Sequence, residues 1–284
     1  MPKLLFIVID GLTSDTLACA HVPCLDALAR RGVSTTVYPP PGSPQLLLPL
    51  LTSLFTSLPP EEHGVLTNSG LEPLTSHPLS LFSLLQYRCR SVSAFFSNDR
   101  LVRLFPPGAL HTSLLINSQG LRNVDRELTK QAGRHLQQQM PDFCLVHLEG
   151  VGIAAACFGR ISEPCMESIE QADRMVGILL EDLAVVGLDG EYAIMVMGGP
   201  GPARQPGEET REAHRPLFFA APETADQQAE PAGIALLDLA PTMAALAGLS
   251  PHPDWRGRIE TRLLPPPPDL DTLTTHRRKT AAPA

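Results

Sequence analysis

The hydrophobic positions of this chain alternate between two periods. Compact apolar runs occur at residues 4–9, 33–37, 91–96, 142–148, 192–197 and 216–220. The runs at 4–9 and 142–148 are nearly unbroken and predict strands buried on both faces of a sheet. Between the runs lie helical stretches. One opens at Pro23 and closes at Gly32, one runs from Pro49 to Ser57, and others cover 78–87, 123–139, 164–183 and 236–249. Pro49 suits a helix start, where a missing N–H costs nothing, and Pro59-Pro60 mark its end. The stretch at 123–139 is polar and predicts a surface helix. Strands alternating with helices predict an α/β fold: a doubly wound, mostly parallel sheet flanked by helices. One domain is expected over 1–263, followed by a proline-rich, disordered tail at 264–284. The polar stretch at 202–213 is expected to be a mobile loop.

Composition narrows the function classes. A hydrophobic content of 43% in 284 residues suffices for a large core. A net charge of −8 argues against a nucleic-acid partner, which would need clustered Lys and Arg. The basic cluster at 276–279 sits in the tail and reads as a solvated end. Six cysteines without C-x-x-C spacing predict reduced, structural thiols. The chain enters its first apolar run at once, without a charged-then-apolar leader, and no apolar run reaches the ~18 residues of a membrane span. A cytoplasmic protein without membrane contact is expected.

Candidate chemistry begins at Asp10-Gly11, beyond the first strand, where ligands bind in open α/β sheets; a helix cap is the other reading of Asp10. Asn98-Asp99 follow the third strand and read as a turn. The stretch SPQLLLPLLTSLFTSLPPEEHGVLTN at 43–68 resembles the nucleophile segment of the alkaline phosphatase superfamily, especially its nucleotide pyrophosphatase/phosphodiesterase branch. Matches fall at Pro44, Pro49, Ser53, Leu54, Thr56, Pro60, Gly64 and Asn68. Asp10-Gly11 resembles the family's I-x-x-x-D-G. Residues 22–29 resemble T-P-N-L-D-x-L-A, and Asp173, Gly177 and Leu179 match D-x-x-x-G-x-L. Residues 236–249 resemble the closing D-L-A-P-T helix, with a terminal turn at 254–257. The resemblance spans residues 3–262 and implies an alkaline phosphatase-like core.

It also implies which positions would carry chemistry. The nucleophile falls at Leu47, which has no oxygen to attack phosphorus. Of the family's metal ligands only Asp10 survives. The D-x-x-x-H pair falls at Gly152 and Ala156, and the S-D-H-G motif at Gly198, Gly199, Pro200 and Gly201. The late histidine would be His214, which lies nearer the following strand than the family pattern places it. In the phosphodiesterase branch the Asn68 position hydrogen-bonds a phosphate oxygen; a turn residue is its other reading. Ser43 and Thr52 offer other hydroxyls, Ser43 only after a register shift and Thr52 only from inside the helix.

Losing nearly all of a charge cluster together relieves the cost of leaving members unpaired. The expectation is therefore a degenerate, phosphodiesterase-like pseudoenzyme that binds a small-molecule ligand or protein partner, with no cofactor. Its pocket would be roomier and less polar than its relatives', around Asp10, Leu47, Asn68, Gly152, Ala156 and Gly199. One alternative is a phosphodiesterase or phosphatase-type hydrolase holding zinc or manganese. Another is a metal-free enzyme in the same cleft, with His63, His147 or His214 as acid-base groups and Cys144 or Cys157 as nucleophile. A third is an assembly role, with the Leu-rich segment 46–51 as an exposed contact surface.

Overall fold

A computed structural model describes residues 2–69, 79–117, 123–200, 214–221 and 233–264. The strands are β1 (Lys3–Ile9), β2 (Val33–Tyr38), β3 (Val92–Phe96), β4 (Thr112–Leu115), β5 (Phe143–Leu148), β6 (Tyr192–Gly198), β7 (Arg215–Ala220) and β8 (Ile234–Ala235). The helices are α1 (Ser14–Leu17), α2 (Pro23–Arg31), α3 (Leu47–Thr56), α4 (Pro60–His63), α5 (Leu81–Tyr87), α6 (Val124–Gln139), α7 (Gly150–Phe158), α8 (Glu163–Val185) and α9 (Leu239–Leu246). The eight strands form one sheet in the order β4-β3-β5-β1-β6-β7-β2-β8. All neighbours are parallel except β7, which runs antiparallel to both β6 and β2. The expected doubly wound, mostly parallel sheet is thus present, with β1 central between β5 and β6.

Alternation along β1 sorts the core into two layers. Leu4, Phe6 and Val8 pack with α3, α5 and α9; Leu5, Ile7 and Ile9 pack with α2, α6, α7 and α8. Every residue of α3 is buried, as suits a helix that is apolar all round. The Leu-rich segment therefore offers no exposed contact surface: Leu47, Leu48, Leu50 and Leu51 lie in the core. Pro49 sits in the first turn of α3, which begins at Leu47, two residues before the expected start.

Several family-like residues turn out to hold the layers together. The Asp173 carboxylate accepts from the backbone N–H of Cys24 (3.1 Å) and Leu25 (2.8 Å), so α8 caps the start of α2. A Cβ on Gly177 would come within 2.6 Å of the Cys24 Sγ, so that glycine sets how closely the two helices approach. Gly32 ends α2 with an extended φ of −159°; it is not the left-handed stop its position suggests. Glycine is required there because a Cβ would lie 2.0 Å from the Phe219 carbonyl oxygen on β7. The Ser57 hydroxyl donates to the Leu237 carbonyl (2.7 Å) and accepts from the Gly257 N–H (2.9 Å), tying the terminal turn to the end of α3.

The sequence did not signal α1, α7, β4 or β8. α5 starts at Leu81 behind a Ser80 cap, later than expected, and Pro78 lies outside the described residues. So do Gly201, the expected loop at 202–213 and the tail from 265 onward. No described helix is long and apolar enough to cross a membrane.

His147 on β5 is fully buried, and neither ring nitrogen has a hydrogen-bond partner among the described residues. Burial pushes its pKa down from 6.5 to about 4. The unfolded chain then binds a proton that the native state refuses, so stability is full above pH 6.5 and falls as pH drops toward 4. Replacing His147 with Leu should shrink the loss of unfolding free energy between pH 7.5 and pH 4.5 by about 2–3 kcal/mol, measured by urea titration. An unchanged pH dependence would show that His147 is not the buried neutral group.

Candidate functional site

Asp10 extends β1 at the carboxyl edge of the sheet. Its N–H donates to the Leu148 carbonyl (2.8 Å), and the Gly199 N–H donates to the Ile9 carbonyl (2.7 Å). The central strand is thereby stitched to the ends of both neighbours, and three glycines close on the half-buried carboxylate. A Cβ on Gly152 would lie 3.1 Å from Asp10 Oδ2. On Gly199 it would lie 2.8 Å from both the Cα and Oδ1 of Asp10. Gly11 has φ +82°, and its Cβ would fall 2.8 Å from the Cα of Gly152. At Gly152 and Gly199 the backbone thus lies close against Asp10.

Arg215 completes this cluster. The antiparallel pairing Val196↔Phe218 and Met197↔Leu217 brings the start of β7 across from Gly199. Arg215 is fully buried. Its Nη2 donates to Gln45 Oε1 in the loop before α3 (2.5 Å). Burial lowers its pKa to about 10, while attraction from Asp10 works to raise it. The guanidinium is therefore still charged at neutral pH, and it links β7, the loop before α3 and Asp10. Sequence reasoning missed it. The available signal was a cation opening an otherwise apolar strand, RPLFFA, directly after the late histidine.

The start of α3 is also closed from within. Leu47 is its first residue and is buried. The Asn68 side-chain oxygen accepts from the Leu48 N–H at 3.0 Å. A helix N-terminus with free amides favours an anion; here an amide oxygen of the chain takes that position. Thr52 donates to the Leu48 carbonyl (2.7 Å) and is buried inside the helix.

The other expected residues are dispersed. Ala156 is exposed on α7. His214 is exposed, and its ring meets Tyr38 edge-on at 5.3 Å. His63 is buried; its Nδ1 accepts from the Val65 N–H (3.0 Å), so its Nε2 carries the proton toward the Ser53 oxygen (2.8 Å). That arrangement braces the turn after α4. Asn98 caps the 3-10 turn Asp99–Leu104 by accepting from the Arg100 N–H (3.2 Å), as a turn reading requires. Cys144 is fully buried, which pushes its thiol far above the range of a nucleophile, while Cys157 is exposed.

Metal chemistry on phosphoesters needs carboxylates and imidazoles around two cations. Among the described residues no group of three or more His, Cys, Asp or Glu side chains is placed to hold a metal ion. Among the described residues, the side chains around Asp10 do not supply the ligands of a two-metal centre, and Arg215 brings a positive charge to it.

Comparison with known proteins gives a consistent family frame. Residues 4–83 match the family model for type I phosphodiesterase / nucleotide pyrophosphatase. Two solved structures cover most of the chain: a 2-O GAG sulfatase and the phosphonate monoester hydrolase of Agrobacterium radiobacter. The first is 16% identical with a TM-score of 0.71, over 92% of this chain and 74% of that one. The second is 15% identical with a TM-score of 0.65, over 94% of this chain and 78% of that one. The fold is that of the alkaline phosphatase superfamily. The phosphodiesterase branch is represented by murine ectonucleotide pyrophosphatase / phosphodiesterase 5, solved as an inactive form in complex with AMP. It is 12% identical with a TM-score of 0.65, over 89% of this chain and 96% of that one. An uncharacterized pyrophosphatase/phosphodiesterase of Schizosaccharomyces pombe is 25% identical over 221 residues, 70% of this chain. The chain spans only 44% of the length of that relative.

The capping role of Asn68 has a direct test. Asn68→Ala should lower unfolding free energy by about 1 kcal/mol, whereas Asn68→Asp, which keeps the acceptor and complements the helix dipole, should not. Equal stability of all three proteins in urea titration would mean that Asn68 does not hold α3.

Proposed function

We propose that this chain is a non-hydrolytic relative of the type I phosphodiesterases that acts by binding a small molecule or a protein partner. The observation that carries the reading is the closure of Gly152, Gly199 and the buried Arg215 around Asp10. In this reading Arg215 supplies the positive charge that a metal would otherwise bring. Asp10 is left as a structural anion.

Each requirement of the hydrolytic reaction is affected. A nucleophile needs a heteroatom with a lone pair, and the Leu47 side chain has none. A cation clamp needs converging ligands. A side chain restored at Gly199 would meet the Asp10 backbone at 2.8 Å, so a single substitution there would not rebuild the centre. The helix N-terminus that would receive a phosphate is engaged by Asn68. No cofactor is required in this reading.

The second reading is a phosphodiesterase that uses zinc or manganese. It draws support from the family-model match over residues 4–83 and from the yeast relative. Hydrolysis of bis(p-nitrophenyl) phosphate separates the two. With zinc or manganese added, the chain should release nitrophenol at the rate of buffer alone, and Asp10→Ala should behave identically. Metal-dependent turnover that disappears in Asp10→Ala would establish the hydrolase instead.

A further inference from the structure

The described residues contain a cavity of about 700 Å³ on the face of α7 turned away from Asp10, bounded by α6, α7 and α8. That is within the size range of pockets that hold drug-sized ligands. Its apolar wall is made by Ile153 and Phe158 of α7 with Met175 and Ile178 of α8. Ile153, Phe158 and Ile178 are exposed apolar side chains gathered at one place. Clustering of this kind marks a binding surface more than scattered exposed residues do.

The polar edge carries two arginines that the described residues leave unpaired. Arg126 and Arg174 line the same cavity, and neither makes a hydrogen bond or ion pair among the described residues. In a chain of net charge −8 two such arginines beside an apolar wall are conspicuous. The first turn of the 16-residue α6 opens onto the same cavity and has no side-chain cap. Its amides add positive potential to that of the two guanidinium groups.

Two carboxylates also line the cavity, and both are already engaged. Asp125 accepts from the Glu149 N–H (3.1 Å) and the Gly150 N–H (2.8 Å). Glu149 accepts from the Ser97 hydroxyl (2.8 Å) and the Asn98 amide (3.2 Å). Burial raises the pKa of Asp125, and those two backbone bonds work against the rise. Both carboxylates are thus bound to the chain, while the two guanidinium groups have no such partner among the described residues.

We propose that this cavity binds a small amphiphilic anion, with its apolar body against Ile153, Phe158, Met175 and Ile178 and its carboxylate or phosphate head at Arg126 and Arg174. The site shares no side chain with the Asp10 cluster and stands whether or not the chain hydrolyses phosphoesters.

Isothermal titration of the full chain tests it, using dodecanoate, dodecyl phosphate and dodecyltrimethylammonium below their micellar concentrations. Saturable one-to-one binding of either anionic amphiphile, with none for the cationic one, is expected. The tighter of the two anions identifies the head group. Arg126→Ser combined with Arg174→Ser should weaken that binding at least about tenfold, the loss expected for one charge-assisted hydrogen bond. Ile153→Glu should abolish it. These three side chains are exposed, so the variants should keep the wild-type circular dichroism and urea midpoint. Equal binding of the cationic amphiphile, binding unaffected by the arginine substitutions, or no binding of any probe would overturn the proposal.

Discussion

The carboxyl edge of this sheet is organised around one negative charge held against backbone. Asp10 lies at the end of the central strand, with Gly152 on one side and Gly199 on the other. Asp10 is half-buried, and a carboxylate drawn partly out of water is favoured by a positive charge nearby. Arg215 brings that charge, though its own burial lowers its pKa to about 10. The single antiparallel intrusion in the sheet follows the same logic. Because β7 reverses direction beside β6, its first residue arrives opposite Gly199 and not at the far end of the strand. Gln45 then anchors the guanidinium to the loop that leads into α3.

A second economy appears at α3. Helix N-termini attract anions because their first amides lack partners. Here Asn68 returns along the chain and occupies one of those amides, while the far end of α3 is held by Ser57 and the terminal turn. A segment that would present a nucleophile in a hydrolase is thereby fixed at both ends as a core element. All ten residues of α3 are buried, and Leu48, Leu50, Leu51, Leu54 and Phe55 pack with Leu47 in the layer that holds Leu4, Phe6 and Val8 of β1.

Much of the fold was legible from pattern alone. β1, β5 and β6 are unbroken apolar runs, and α2, α6 and α8 show helical periodicity with recognisable ends. α7 was not, because GVGIAAACF is small and apolar throughout and shows no polar face. β4 is four residues long and half exposed, and β8 has only two residues, so neither carries a periodic signal. At the site, Asp10, Gly152 and Gly199 could be placed together from motif order. Their close approach could not, since it depends on backbone positions that composition does not encode. Arg215 escaped notice because an arginine at a strand start reads as a solvated flank unless its cross-strand neighbour is known. Asp173 was matched to a motif, but its capping of α2 is a contact across 149 residues of chain.

In the proposed reading, Arg215 and not a metal supplies the positive charge at Asp10. The most direct measurement is zinc per chain, by elemental analysis, after equilibration of the full chain with excess zinc and removal of the free ion. Near-zero zinc, the same in Asp10→Ala, is the expected result. Two zinc ions per chain, lost in Asp10→Ala, would contradict it and restore a metal centre at the end of β1.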